Sequence, residues 1–134
     1  MKLLVCGSRD WTDRETIRKW LIRVLSSQPD VPFRNHVLVH GAARGADTIA
    51  AQEAAALDVQ VHPYPADWAS GKGAGPRRNQ TMLDVEKPDM VLAFTDAIRK
   101  EGWRFTGTGD CVARAIEAGI RVTIVPSPRK DLHP

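Results

Sequence analysis

The sequence predicts a single α/β domain of three layers, a mainly parallel five-stranded sheet of Rossmann-like order with helices on both faces. Three observations carry that expectation. Short apolar runs alternate along the chain with longer segments of helical periodicity, the pattern of successive βαβ units. The chain has 134 residues, enough for one domain with its own core. It contains no internal repeat, low-complexity tract or linker-like stretch that would divide it.

Residues 2–6 are apolar after Lys2 and read as a first, buried strand. Thr12, with Glu15 three positions on, forms a capping box that places a helix N-cap at Thr12. Ile17, Trp20, Leu21, Val24 and Leu25 then follow the i, i+3, i+4, i+7, i+8 spacing of an amphipathic helix, and Pro29 to Pro32 end it. Residues 36–40 are a second strand, 46–57 an alanine-rich helix able to pack closely, and 59–64 a third strand. Residues 65–75 form a long loop containing Gly, Pro and Ser. Pro76 suits the first turn of a helix reaching 85 or 86. Residues 89–94 are a fourth strand, 95–106 a second long loop, and 108–118 a fourth helix closed by Gly119 as C-cap. Residues 121–125 are a fifth strand, which completes a domain over 1–125, and 126–134 form a frayed C-terminal tail. The expected strand order is 3-2-1-4-5, with the flavodoxin-like 2-1-3-4-5 as the alternative.

Composition excludes several classes. Apolar residues make up 43% and charged residues 26%, ordinary values for a soluble domain. No apolar run approaches the roughly 18 residues of a membrane span. The apolar start, residues 1–6, is too short for a secretory signal and runs straight into a turn, so a cytoplasmic location is expected. Cys6 and Cys111 are too few and too far apart for a disulfide framework and read as small buried hydrophobes. Together with His36, His40 and His62 they show no metal-ligand spacing, so no metal is expected. The net charge of +3, from 19 basic and 16 acidic residues, suits an anionic ligand. It falls short of the dense basic stripe typical of nucleic-acid binders.

Three glycine-bearing turns carry the chemistry. They are Gly7-Ser8-Arg9, the stretch from His40 through Gly41 and Gly45-Ala46 to Asp47, and Gly107-Thr108-Gly109-Asp110. Each follows an expected strand and opens a helix. Glycine permits close backbone approach, and a helix start offers unpaired N–H groups and the positive end of a dipole, a natural place for phosphate. In a parallel sheet these turns and the two long loops share the edge at the strand C-termini, so they converge on one cleft. None matches GxGxxG or the P-loop, which disfavours ordinary NAD binding.

The candidate ligand-binding residues are therefore Gly7, Ser8, Arg9, Trp11, Gly41, Gly45, Ala46, Asp47, Gly107, Thr108 and Gly109. Arg78 and Asn79 join them from the start of the third helix. Arg9 suits a phosphate or a carboxylate, or a solvated loop position. Trp11 can stack on a base or anchor the first helix. Asp47 can cap the helix at 46–57 or bond a ribose hydroxyl. Arginine at a helix start opposes the dipole, so Arg78 is expected to hold an anion jointly with it, while Arg77 points to solvent. Asn79, donor and acceptor at once, suits orienting a ligand or a neighbouring loop. Met82 reads as core, and His40 as a packed or hydrogen-bonded histidine. Trp68 and Trp103 in the long loops can serve as lid, stacking platform or dimer contact. Arg99, Lys100 and Arg104 make the second loop basic, a solvated face.

The combination of Gly7-Ser8-Arg9-Asp10-Trp11, His40-Gly41 with Gly45-Ala46-Asp47, Asp67-Trp68, Gly75-Pro76 with Arg78-Asn79 and Met82, and Gly107-Thr108-Gly109 resembles the SLOG superfamily. Among its branches the chain is similar to small bacterial and phage members of unassigned function, the YspA/YpsA-related group. The resemblance runs from Leu3 to about Val125. It implies a Rossmann-like fold that binds nucleotides or nucleotide-derived ligands such as ADP-ribose derivatives. The superfamily includes the LOG phosphoribohydrolases and DprA, which binds single-stranded DNA. LOG enzymes carry a helical arginine upstream of PGGxGTxxE, whose glutamate acts in catalysis. Arg78 matches that arginine and Gly107-Thr108 the GT, but Cys111 stands where the glutamate would and the preceding proline and glycine pair is absent.

Three functions follow. The first is binding of an AMP-like or ADP-ribose-like small molecule, as a sensor, with no cofactor beyond that ligand. The second is N-glycosidase or phosphoribohydrolase chemistry, which needs a carboxylate beside an oxocarbenium-like sugar and an activated water. Asp110, with Arg78, is the candidate catalytic pair, although Asp110 can equally cap its helix. The third is single-stranded nucleic acid binding through Trp68, Trp103 and the basic loop, against which the modest charge argues. Similarity to LOG proteins implies a homodimer.

Overall fold

The computed structural model of the chain describes residues 1–128, the side chain of Arg99 excepted. From Arg129 on, the expected tail lies outside the described residues. Five strands and four helices alternate: β1 (Lys2–Gly7), α1 (Arg14–Leu25), β2 (Val37–His40), α2 (Ala46–Ala56), β3 (Gln60–Pro63), α3 (Ala74–Glu86), β4 (Met90–Phe94), α4 (Gly107–Glu117) and β5 (Arg121–Val125). The sheet order is β3-β2-β1-β4-β5 with every pair parallel, as the sequence predicts. Leu4 stands opposite Val39 on one side and Val91 on the other.

The central strands β1 and β4 are buried almost throughout, which is why they read as unbroken apolar runs. The edge strands β3 and β5 are mixed, with exposed Gln60 and Arg121. Strand side chains alternate between two half-cores. Leu3, Val5, Leu92 and Phe94 meet Ile17, Leu21 and Leu25 of α1 and the alanines of α2. Leu4, Cys6, Val91 and Ala93 meet Met82 and Leu83 of α3 and Cys111, Val112 and Ala115 of α4. Ala46, Ala50 and Ala54, four apart along α2, are fully buried, so small side chains lay this helix close against the sheet.

The helix starts depart from expectation in detail. Asp13, not Thr12, caps α1: its carboxylate accepts from the Thr16 amide at 3.1 Å and the Thr16 hydroxyl at 2.6 Å. The cause is Trp11, which is buried with its Nε1 donating to the Asp13 carbonyl at 2.9 Å, turning the chain one residue further before the helix begins. Asp caps as well as Thr. α3 starts at Ala74, which leaves Pro76 inside the first turn, where its missing N–H costs nothing. α4 starts at Gly107 and ends at an Ala118 cap, followed by Gly119 at φ 75°, with the Ile120 amide returning to the Ala115 carbonyl at 3.0 Å. The two long loops contain 3₁₀ turns at Trp68–Ser70, Ala97–Arg99 and Trp103–Phe105. No helix among the described residues is long and apolar enough to cross a membrane.

Candidate functional site

The order of the sheet reverses between β1 and β4, and at that point an open α/β sheet leaves a crevice beyond its strand ends. A cavity of about 300 Å³ lies there, lined by Gly7, Ser8 and Arg9 after β1, Gly41, Ala43 and Asp47 after β2, Arg78, Asn79 and Met82 on α3, and Thr106, Gly107 and Thr108 at α4. The convergence expected of the three turns and the start of α3 is thus the architecture observed. Cys6, Asp10, Thr95 and Ala97 also line it and are not among the ligand-binding residues expected from the sequence. Thr95 could have been, because it directly follows the fourth strand.

The first two turns are locked together. The Ser8 amide donates to the Phe94 carbonyl at 2.9 Å, the Ala46 amide donates to the Ser8 carbonyl at 3.1 Å, and the Ser8 hydroxyl donates to Thr95 Oγ1 at 3.1 Å. Gly45 sits at φ 80°, and a Cβ there would lie 2.4 Å from the Ser8 carbonyl oxygen. Gly45 and Ala46 therefore serve contact between turns. Neither lines the cavity, which corrects their assignment to ligand binding.

Asp47 is buried and does not cap α2, whose N-cap is Gly45. Its Oδ2 instead accepts the amides of Gly41 at 2.9 Å and Ala43 at 3.3 Å. Ala42, between them, takes a left-handed φ of 57°, supported by its amide on His40 Nδ1 at 2.9 Å. The second turn thus gives two of its amides to its own carboxylate. Burial pushes the Asp47 carboxyl up to about 6, against the opposing pull of the Ala43 and Gly41 amides and the Arg78 and Arg9 charges. Asp47 Oδ1 accepts no hydrogen bond within the described residues, and the residue faces the cavity. Burial and the Arg78 charge hold His40 below its ordinary value, so it stays neutral.

Arg78 is tethered. Its Nη1 donates to the Gly41 carbonyl and, at 3.2 Å, to the Tyr64 carbonyl, while Nε donates to Asn79 Oδ1 at 2.9 Å. It carries a fixed positive charge at the cavity wall. Arg77 is exposed, as expected, and reaches back to Ser70 Oγ at 2.7 Å. Asn79 is buried, and its Nδ2 donates to the Gly107 carbonyl at 3.2 Å and to Asp110 Oδ2 at 3.0 Å. Of its two expected uses, it orients a neighbouring loop.

Asp110 does not line the cavity. Its Oδ2 is held by Asn79 and by Arg114 Nε at 2.9 Å, and Arg114 in turn reaches Gln80. The expectation that Asp110 stands beside a bound sugar is corrected accordingly, because α3 and α4 draw its carboxylate into their own contact. The carboxylates that do line the cavity are Asp10 and Asp47. The α4 cap is Thr106, whose hydroxyl takes the Gly109 amide at 2.9 Å. Gly109 is buried, and a Cβ on it would lie 1.7 Å from the Trp103 carbonyl oxygen, so it too is a packing glycine outside the lining. Gly107 and Thr108 remain at the cavity, with first-turn amides that no helical carbonyl can reach.

Trp11 packs edge-on against Phe94, ring centroids 5.6 Å apart, and belongs to the core; this corrects its candidacy as a ligand contact. Trp103 packs against the second half-core with the Arg104 guanidinium over its ring. Trp68 is exposed, with Arg9 over its ring. The hydrogen bond to Cys111, then burial, hold the Cys6 thiol well above its ordinary value, the opposite of what a nucleophilic thiolate needs. Among the described residues no three of His, Cys, Asp and Glu come together as a metal-holding group.

The chain is similar to known proteins at three levels. A family model described as YAcAr, the YspA, cpYpsA-related SLOG family, matches residues 1–71, just over half of the chain. The Gene 61 protein of Mycobacterium phage D29 is 37% identical over 127 residues, covering 90% of this chain and 93% of that protein. Among solved structures, DNA processing protein A (DprA) from Streptococcus pneumoniae is similar with a TM-score of 0.68 at 19% identity. That likeness covers 97% of this chain and 52% of the DprA chain; this chain thus spans about half of DprA, and the shared property is the fold.

Proposed function

The chain belongs to the YspA, cpYpsA-related SLOG family, and from that premise we propose that it binds a nucleotide or nucleotide-derived small molecule, AMP-like or ADP-ribose-like, in the cavity at the sheet switch point. The observation that carries this reading is the meeting of two kinds of group in one cavity. Donors for an anion are the Gly107 and Thr108 amides at the positive end of α4 and the guanidinium groups of Arg9 and Arg78. Asp47, which shares Gly41 with Arg78, has an oxygen free to accept from a sugar hydroxyl. Phosphate and ribose together satisfy both. The cavity, at about 300 Å³, is at the small end of ligand pockets, which span roughly 300–1,000 Å³.

A thermal-shift panel of AMP, ADP-ribose, NAD and ribose 5-phosphate tests it. A ligand at 100 times its Kd adds about 2.7 kcal/mol of stability. Arg9→Ala, at an exposed position, should fold normally and lose much of the shift. No shift with any member, or an undiminished shift in Arg9→Ala, overturns the reading.

One observation favours a second reading, hydrolysis of an N-ribosyl bond. A buried carboxyl raised to about 6 in a cavity is suited to activating water near neutral pH. On this reading Asp47 takes the role first given to Asp110. Free adenine released from AMP by the wild type, and abolished in Asp47→Asn, supports it; release that survives Asp47→Asn removes Asp47 from the chemistry.

A further inference from the structure

A second concavity of about 550 Å³ adjoins the cavity and shares Arg9, Gly41, Ala43 and Arg78 with it. Its remaining wall includes Arg44, Pro65 and Trp68. Three arginines line this groove, and among the described residues no carboxylate does. Trp68 is 57% exposed, a large apolar surface left in water at the groove's rim. It is nevertheless held. The Arg9 guanidinium lies 5.6 Å from its ring centroid, and α3 supports its edge at Gly75, where a Cβ would come within 3.2 Å of Trp68 Cη2. A held, exposed indole beside fixed positive charge is the chemistry that receives a flat aromatic group joined to an anion.

We infer that the groove is a base subsite: the aromatic base of a free nucleotide stacks on Trp68, its ribose crosses the shared Gly41–Ala43 wall beside Asp47, and its phosphate lies in the cavity against Arg9, Arg78 and the start of α4. The inference rests on the cavity reading and adds what that reading leaves open, namely that the base contributes to affinity. The shared arginines make the two concavities one continuous site. The ligand class is a nucleotide rather than a sugar phosphate, and Trp68 is its base-recognising residue.

Titration of the wild type, Trp68→Ala and Trp68→Phe with AMP and with ribose 5-phosphate decides the matter. AMP should bind the wild type about tenfold more tightly than ribose 5-phosphate, the scale of one stacked base. Trp68→Ala should erase that difference while leaving ribose 5-phosphate affinity unchanged, and Trp68→Phe should retain most of it. Equal affinity of the two ligands for the wild type overturns the base subsite and leaves the cavity reading standing. So does a Trp68→Ala variant that weakens both ligands alike. Binding of neither ligand overturns the base subsite, and the cavity reading is then decided by ADP-ribose and NAD in the thermal-shift panel. Binding of a single-stranded oligonucleotide without AMP replaces the free nucleotide with a strand and overturns the inference.

Discussion

Asn79 Nδ2 donates to Asp110 Oδ2 at 3.0 Å, a single contact that joins α3 to the first turn of α4 across 31 residues of sequence. The same amide group holds the Gly107 carbonyl, and the side-chain oxygen receives Arg78. Asn79 thus helps to set the position of both the third turn and the Arg78 guanidinium.

Asn79→Ala should therefore remove three hydrogen bonds around a buried site. The expected cost is about 1–3 kcal/mol of stability, read from the urea midpoint. Ligand-induced stabilisation should fall with it, because Gly107 and Arg78 lose their common support.

Two glycines of the third turn should behave in opposite ways. Gly109→Ala puts a Cβ 1.7 Å from the Trp103 carbonyl oxygen and should destabilise the domain by several kcal/mol, on the order of 4. A Cβ on Gly107 meets nothing within 4 Å, so Gly107→Ala should unfold within about 0.5 kcal/mol of the wild type. Thermal denaturation of the pair checks both.

Asp47 should make ligand affinity depend on pH. Its folded value, about 6, lies above the unfolded 3.8, so its ionisation costs stability once pH exceeds the lower figure, reaching about 3 kcal/mol above the higher. Asp47→Asn should remove this dependence from urea unfolding measured between pH 4 and 7. Because the ionised form accepts from a ribose hydroxyl, wild-type affinity should fall as pH drops through about 6, and the fall should be absent in Asp47→Asn.

Glu86 should act in the opposite sense at acid pH. It is buried at the far end of α3, where it accepts from Tyr64 at 2.6 Å, His62 at 3.0 Å and Lys2 at 3.2 Å. Burial raises its carboxyl, but these three donors outweigh burial and leave it below the ordinary 4.5. A depressed folded value contributes stability that is present above the unfolded value and lost as pH falls through the folded one. Urea midpoints between pH 3 and 6 should drop steeply for the wild type and more shallowly for Glu86→Gln.

The sheet was legible because its evidence is local. Unbroken apolar runs at β1 and β4, Ala46 with Ala50 and Ala54, and Pro76 each carry their reason within a few residues. The convergence of the turns was legible too, since parallel strands share an edge. What could not be read was which turn amides remain open to a ligand. That depends on Asp47 folding back on Gly41 and Ala43, and on Ser8 taking the Ala46 amide from a separate turn. Asp110 misled for the same reason: its partner Asn79 is adjacent only in space. Trp11 and Trp68 look alike as turn and loop tryptophans, and their fates diverge because Phe94 of the core packs against one, while Arg9 and Gly75 hold the other at the surface.

The Ser8 carbonyl accepts the amides of both Trp11, at 3.3 Å, and Ala46, at 3.1 Å. One oxygen thereby ties the turn after β1 to the start of α2. A ligand entering beside them finds that wall already ordered and spends no binding free energy on shaping it. Arg9, the residue after Ser8, carries that order outward to the Trp68 ring at the groove.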